Sequence, residues 1–327
     1  MEIKEVMKMK AGTRTSKILN ILLKVVGAII IAIVLFLAIV YTVNLISNKS
    51  EQGKIEPYGQ LVPVDGKNMN VYIQGKGEET VVLLPGYGTA APALDFKALI
   101  DELSPFYKVV MIEPFGYGLS DLTKKERSKE NIVSEIHEAL QALNIDRYIL
   151  MGHSISGIYG LDYVNKYENE VSAFVGLDSS VPSISERKIE ASELRSINLL
   201  KKSGLIRLQL KLSADPIAEL PFDEKTKEQM RLINRKNIFN PTQLNEAGMM
   251  YSNFKSAESL TFPKNLPLIF FIQANQPATD RWIPEHEKQI KDSVHGKIVK
   301  FEEGHYLYRT KAKEIVEDFQ AFMKEIK

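Results

Sequence analysis

From about residue 60 onward the chain predicts an α/β fold, with a mostly parallel sheet covered on both faces by helices. Short apolar runs that end in Gly or Pro alternate with segments of helical periodicity. These apolar runs are continuous rather than alternating, as strands buried on both faces require. A third observation sets the N-terminus apart: one long run there has no charge at all.

That run covers residues 25–46. As a helix it would span about 33 Å, against a hydrocarbon core of roughly 30 Å. A core helix rarely stays apolar on every face for so long. A cleavable signal peptide has a shorter apolar stretch and a small-x-small site. Asn44-Leu45-Ile46-Ser47-Asn48 offers no such site. An uncleaved single-pass anchor is therefore expected. Lys4, Lys8, Lys10, Arg14 and Lys17 precede it, whereas only Lys49 and Lys54 follow closely. By this asymmetry residues 1–24 form a basic cytoplasmic tail, and everything beyond Ser50 lies outside the cytoplasm, at the cell membrane. Residues 47–57 read as a polar tether.

Strands follow at 69–74, 80–84, 107–112, 147–151, 173–177, 266–273 and 298–301, with helices at 95–103, 129–143 and 311–326. Residues 183–263 break the alternation and read as helices without a strand. The expected organisation is a core of 58–182 and 264–327 with a helical cap of 183–263 inserted in it. In such sheets, ligand sites lie at the carboxyl ends of strands.

Composition removes several chemistries. The 327 residues contain no cysteine, which excludes a thiolate nucleophile, cysteine zinc sites and iron–sulfur clusters. With 42 Lys+Arg against 41 Asp+Glu there is no basic excess to suggest nucleic acid as a partner. Gly116-Tyr117-Gly118 lacks the downstream Gly-Lys of a phosphate loop and the full dinucleotide pattern. No metal and no cofactor is expected.

The sharpest motif is Gly152-His153-Ser154-Ile155-Ser156-Gly157, directly after a strand. A serine exposed on a tight strand-to-helix turn needs small residues two positions to either side. Gly152 and Ser156 meet that need for Ser154, whereas Ser156 as nucleophile would place Ile158 in such a position. A serine hydroxyl also requires an imidazole to take its proton. Of the five histidines, His305 follows a strand end and a glycine, where a loop can carry it over the sheet edge. His153 should point away from Ser154, while His137, His286 and His295 fall on helices or a turn.

At these residues the chain resembles the α/β-hydrolase superfamily, over nearly all of its length after residue 60. Leu83-Leu84-Pro85-Gly86-Tyr87-Gly88 is similar to the family's oxyanion loop, with Pro85 where His is usual. Glu113 to Ser120 resembles its D-x-x-G-x-G-x-S loop, with Glu113 replacing Asp. Gly304-His305-Tyr306 resembles the segment of the catalytic histidine. The resemblance implies backbone oxyanion donors at Tyr87 and Ile155. It implies a triad acid just beyond the strand at 266–273, or else at the end of the strand before it. The first place offers Asn275, Gln276 and only a late Asp280; the second offers Asp178, which is preferred.

Ester cleavage through an acyl-serine is the expected reaction, on a small-molecule or lipid-like acyl substrate. An acyltransferase, a peptidase, another reaction of the fold, or a non-catalytic binding or sensor protein are the alternatives. The stretch 199–212 is both apolar and basic. It reads first as ordinary cap helices, and otherwise as a surface facing a membrane. Met249, Met250, Tyr251 and Phe254 are candidates for the pocket wall, though core packing explains them equally well. Trp282 reads as packing.

Overall fold

The computed structural model describes residues 2–184, 187–276 and 280–326, with side chains from residue 17 onward. The chain divides into two compact units. One comprises the chain up to Ser50 together with Leu199–Ala214; the other comprises Glu51–Asn198 and Asp215–Lys327. Part of the expected cap thus clusters with the N-terminal helix.

That helix, α1 (Glu2–Gln52), is unbroken through the apolar run. Its stretch Lys17–Gln52 is long and apolar enough to cross a membrane. Helix continues to Gln52, so the first half of the expected tether is helical, which the absence of Gly or Pro before Gly53 permits.

The second unit is built on one eight-stranded sheet. Its strands are β1 (Gln60–Val64), β2 (Lys67–Gln74), β3 (Thr80–Leu84), β4 (Lys108–Glu113), β5 (Tyr148–His153), β6 (Val171–Leu177), β7 (Leu268–Gln273) and β8 (Gly296–Phe301). Their order is β1-β2-β4-β3-β5-β6-β7-β8. β1 and β2 are antiparallel to their neighbours and the rest are parallel. The sequence reading missed β1. Its Pro63 is a poor strand residue, tolerated here because β1 is an edge strand.

The helices are α2 (Pro92–Asp95), α3 (Lys97–Leu103), α4 (Lys129–Ala142), α5 (Ser156–Lys166), α6 (Ala191–Ser203), α7 (Leu205–Leu212), α8 (Glu224–Asn237), α9 (Pro241–Ala257), α10 (Trp282–Ile290) and α11 (Ala312–Glu325). Side-chain alternation along the strands feeds two apolar layers. Val82, Leu84 and Leu150 pack with Ile132 and Ile136 of α4 and Ile158 of α5. Val81, Leu83 and Met151 pack on the other face, with Leu99 of α3 and Phe319 of α11. The order reverses at β3, which has β4 on one side and β5 on the other. The crevice at the carboxyl ends of β3 and β5 is where such a sheet binds ligands.

Candidate active site

The turn after β5 is built around Ser154, whose φ of 54° lies in the left-handed region that side chains seldom adopt. Hydrogen bonds pin it from both sides. Ser154 N donates to Leu177 O at 3.3 Å, and Ser154 O accepts from Ser180 N at 2.7 Å and Gly157 N at 2.9 Å. A Cβ on Gly152 would come within 2.9 Å of Ser156 O, which is why only glycine fits there. Ser156 does more than remain small: its Oγ donates to Pro85 O at 2.6 Å, tying the loop after β3 to the turn. At Gly86 of that loop a Cβ would sit 2.6 Å from His153 Nδ1 and 3.0 Å from Ser154 Cβ.

The structure brings Ser154, His305 and Asp178 together. His305 Nε2 lies 3.0 Å from Ser154 Oγ, and His305 Nδ1 lies 2.6 Å from Asp178 Oδ2. Asp178 follows β6 directly and is fully buried, with a φ of 44°. Three further donors converge on it. Gln273 N reaches Oδ1 at 3.0 Å, Gln273 Nε2 reaches Oδ2 at 2.8 Å, and Trp282 Nε1 reaches Oδ1 at 2.9 Å. Both carboxylate oxygens are thus satisfied by N–H donors. The carboxylate oxygen opposite Nδ1 fixes the histidine tautomer: Nδ1 carries the proton, leaving Nε2 free to accept from the serine hydroxyl. Asp280 sits on an exposed turn just before α10. Past β7, the other expected place for the acid, Asn275 Nδ2 donates to Glu302 Oε2 at 2.7 Å.

Trp282 is therefore more than packing, because its indole N–H serves the carboxylate. Neither it nor Gln273 was singled out as a functional residue from sequence. The available signal was a polar residue closing the otherwise apolar strand 268–273. His153 is buried, and its Nε2 lies 3.1 Å from His305 O. Burial, and then the neighbouring His305, hold it well below the ordinary histidine range. As a neutral ring it donates that hydrogen bond and fixes the His305 backbone. His137 stacks on Tyr167, and His286 is buried against Trp282 O and Ser179 O.

The loop with Tyr87 is braced from the cap. Tyr87 Oη donates to Gln243 O at 3.2 Å, and burial pushes its phenol far up, so it stays neutral. Gly88 N donates to Tyr117 Oη at 3.4 Å. Tyr117 and Tyr159 in turn donate to Glu246 Oε2 and Oε1, both at 2.8 Å. Glu246 is buried on α9, and burial raises its carboxyl pKa. Ile155, the other expected oxyanion residue, is buried at the start of α5. Glu113, standing in for the usual Asp, accepts from Tyr58 Oη, Asn70 Nδ2 and Leu119 N, and so shapes the following loop. Gly118 is obligatory there, since a Cβ would lie 1.7 Å from Glu113 Oε2.

Beside this site is a cavity of about 240 Å³, bordered by Gly88, Ala91, Ile217, Leu220, Met230 and Tyr306. A larger one of about 420 Å³ is lined by Val181, Leu260 and Phe262; the lining of neither cavity includes Ser154, His305 or Asp178. Phe254 belongs to the core, whereas Met249 and Met250 are half-buried and Tyr251 is exposed.

Comparison with known proteins agrees with this architecture. Residues 79–207 match the family model described as alpha/beta hydrolase fold. An uncharacterized protein of Bacillus subtilis, YbdG, is 30% identical over 255 residues, covering 76% of this chain and 78% of that protein. A 2-hydroxy-6-oxononadienedioate/2-hydroxy-6-oxononatrienedioate hydrolase of Escherichia coli is 30% identical over 115 residues, 34% of this chain and 40% of the relative. Among solved structures, epoxide hydrolase VrEH1 of Vigna radiata superposes with a TM-score of 0.61 at 17% identity, over 81% of this chain and 97% of that one. The last of these likenesses speaks to the fold alone, while the Bacillus relative covers most of both chains, and with the family match it establishes that this chain belongs to the α/β-hydrolase fold family.

Proposed function

We propose that the protein is a membrane-anchored serine hydrolase that cleaves a carboxylic ester through an acyl-serine intermediate. The observation that carries this reading is the spacing Ser154 Oγ–His305 Nε2–His305 Nδ1–Asp178 Oδ2, at 3.0 and 2.6 Å. Ser154 Oγ attacks the ester carbonyl carbon as its proton passes to His305 Nε2. The carbonyl oxygen becomes an oxyanion, received by the backbone N–H groups of Tyr87 and Ile155. The intermediate collapses when His305 returns the proton to the departing alkoxide, leaving the acyl group on Ser154. Water then attacks that acyl-serine with His305 as base, and the carboxylic acid departs. Asp178 stabilises the imidazolium at both stages.

The anchor half of the reading rests on α1, whose apolar stretch is almost wholly exposed, and on the lysines preceding it. It places the N-terminus in the cytoplasm and the hydrolase unit outside. The substrate is a small-molecule or lipid-like ester.

A fluorophosphonate probe on the full chain tests the reaction. Ser154 should be labelled, and the Ser154→Ala variant should not. A folded wild-type chain that resists the probe points instead to a binding or sensor protein. A p-nitrophenyl ester series then ranks acyl length, and a preference for short chains removes the lipid-like substrate. Ester products formed with added alcohols would identify an acyltransferase.

A further inference from the structure

We propose that residues 199–212 form a second membrane contact, a segment clasped to the C-terminal end of the anchor helix that lies in the headgroup region of a leaflet containing anionic phospholipid. This rests on the reading of α1 as a membrane span. From residue 17 to residue 50, all of α1 is exposed except Gly27, Val40, Asn44 and Ser47. The last three share one helical face at i, i+4 and i+7. Residues 202–207 cover that face. Gly204, with φ at +87°, approaches so closely that a Cβ would lie 2.7 Å from Asn44 Cβ and 2.9 Å from Val40 O. Arg207 is only 8% exposed. Its Nε donates to Asn44 Oδ1 at 3.0 Å and its Nη2 to Asn48 Oδ1 at 2.5 Å.

This clasp accounts for an asparagine inside the apolar run, since a polar side chain at membrane depth is stable only with a partner. It also sets a depth. Val40 to Ile46 are the last residues of the run, within about 9 Å of its end. That is the boundary where amphipathic helices lie. The outward side chains suit this place: Leu199, Leu200 and Leu212 are exposed by 68, 41 and 80%. Lys202 and Lys211 are exposed between and beside them, and Lys201 is partly so. Apolar side chains flanked by cations match acyl chains beneath anionic phosphates.

Because the chain has no cysteine, single-cysteine labels are unambiguous. The full chain is reconstituted in phosphatidylcholine vesicles with or without phosphatidylglycerol, carrying an NBD fluorophore at Leu199→Cys, Leu212→Cys or, as a mid-span marker, Ile33→Cys. Labels at 199 and 212 should be quenched by shallow doxyl-lipid and shielded from iodide several-fold, more strongly with phosphatidylglycerol. If position 33 is lipid-quenched while 199 and 212 stay open to iodide, this inference falls and the anchor stands. If position 33 is itself open to iodide, the anchor reading fails. Equal shielding in both lipids overturns the anionic preference. Adding Arg207→Ala to the Leu212→Cys chain should raise iodide access several-fold; no change overturns the clasp.

Discussion

Gln273 donates twice to Asp178, from its backbone nitrogen to Oδ1 at 3.0 Å and from its side-chain nitrogen to Oδ2 at 2.8 Å. The pairing follows from strand register. β6 and β7 run parallel with Leu177 opposite Phe271, so Asp178, just past β6, comes beside Gln273, the last residue of β7. Asp178 stands just past β6, and the last residue of β7 supplies the amide that holds it. Hydrogen bonds to a charged group are worth about 1.5–3 kcal/mol. Part of that should appear in turnover, since Gln273 fixes the carboxylate that orients His305. Gln273→Leu is expected to lower kcat about tenfold or more on the best ester substrate with KM nearly unchanged. A kcat within twofold of wild type would show that Trp282 and the backbone suffice.

Replacing the acid itself separates Asp178 from Asp280. Asp178→Asn keeps the shape of the site but presents an NH₂ or C=O in place of the anion, which lets His305 adopt the wrong tautomer. The loss expected for this change in a serine triad is roughly 10⁴-fold in kcat. Asp280→Asn, on an exposed turn, should leave kcat within a few-fold. Equal effects, or the reverse order, would disprove the assignment; circular dichroism on both variants checks the fold.

The sheet was legible because its strands are buried on both faces, so they appear in sequence as uninterrupted apolar runs such as Thr80–Leu84. β1 was not, because an edge strand with alternating exposure and an internal proline carries a weak signal. Ser154 and His305 were legible because both sit beside glycines in short motifs after strands. The supports of Asp178 were not, because Gln273 and Trp282 lie about a hundred residues away in sequence and meet it only through strand pairing and the placement of α10. Glu246 was hidden similarly: one charged residue on a helix, it is buried only because Tyr117 and Tyr159 come to it from elsewhere.

The bond from Ser156 to Pro85 gives a stability prediction apart from chemistry. Both residues' polar atoms sit in a buried crevice, and the tie is 2.6 Å long. Ser156→Ala leaves Pro85 O without that donor, at a cost of about 1–3 kcal/mol. The melting temperature should fall by several degrees, while Ser154 remains reactive to a fluorophosphonate because the turn keeps a small residue at this place. A Ser156→Ala chain that melts as wild type but loses labelling would reverse the roles assigned here, making Ser156 part of the chemistry rather than of the scaffold.

Glu246 makes stability depend on pH in a definite direction. Burial raises its pKa in the folded chain, and Arg127 and the two tyrosine hydroxyls only partly oppose this. A carboxyl whose folded pKa lies above its unfolded value favours folding while protonated. Its contribution is complete below the ordinary glutamate range near pH 4.3 and is lost as pH rises through the folded value. Other carboxyls shift as well, Glu113 upward and exposed Asp215 downward, so the absolute curve mixes several groups. The difference between wild type and Glu246→Gln isolates the one. Gln cannot ionise, so the variant should be relatively most stable, against wild type, at pH 8 and relatively least stable at pH 5. Unfolding midpoints of the purified full chain across that interval provide the measurement, and a difference that stays flat with pH would mean that Glu246 is accommodated equally well in both protonation states.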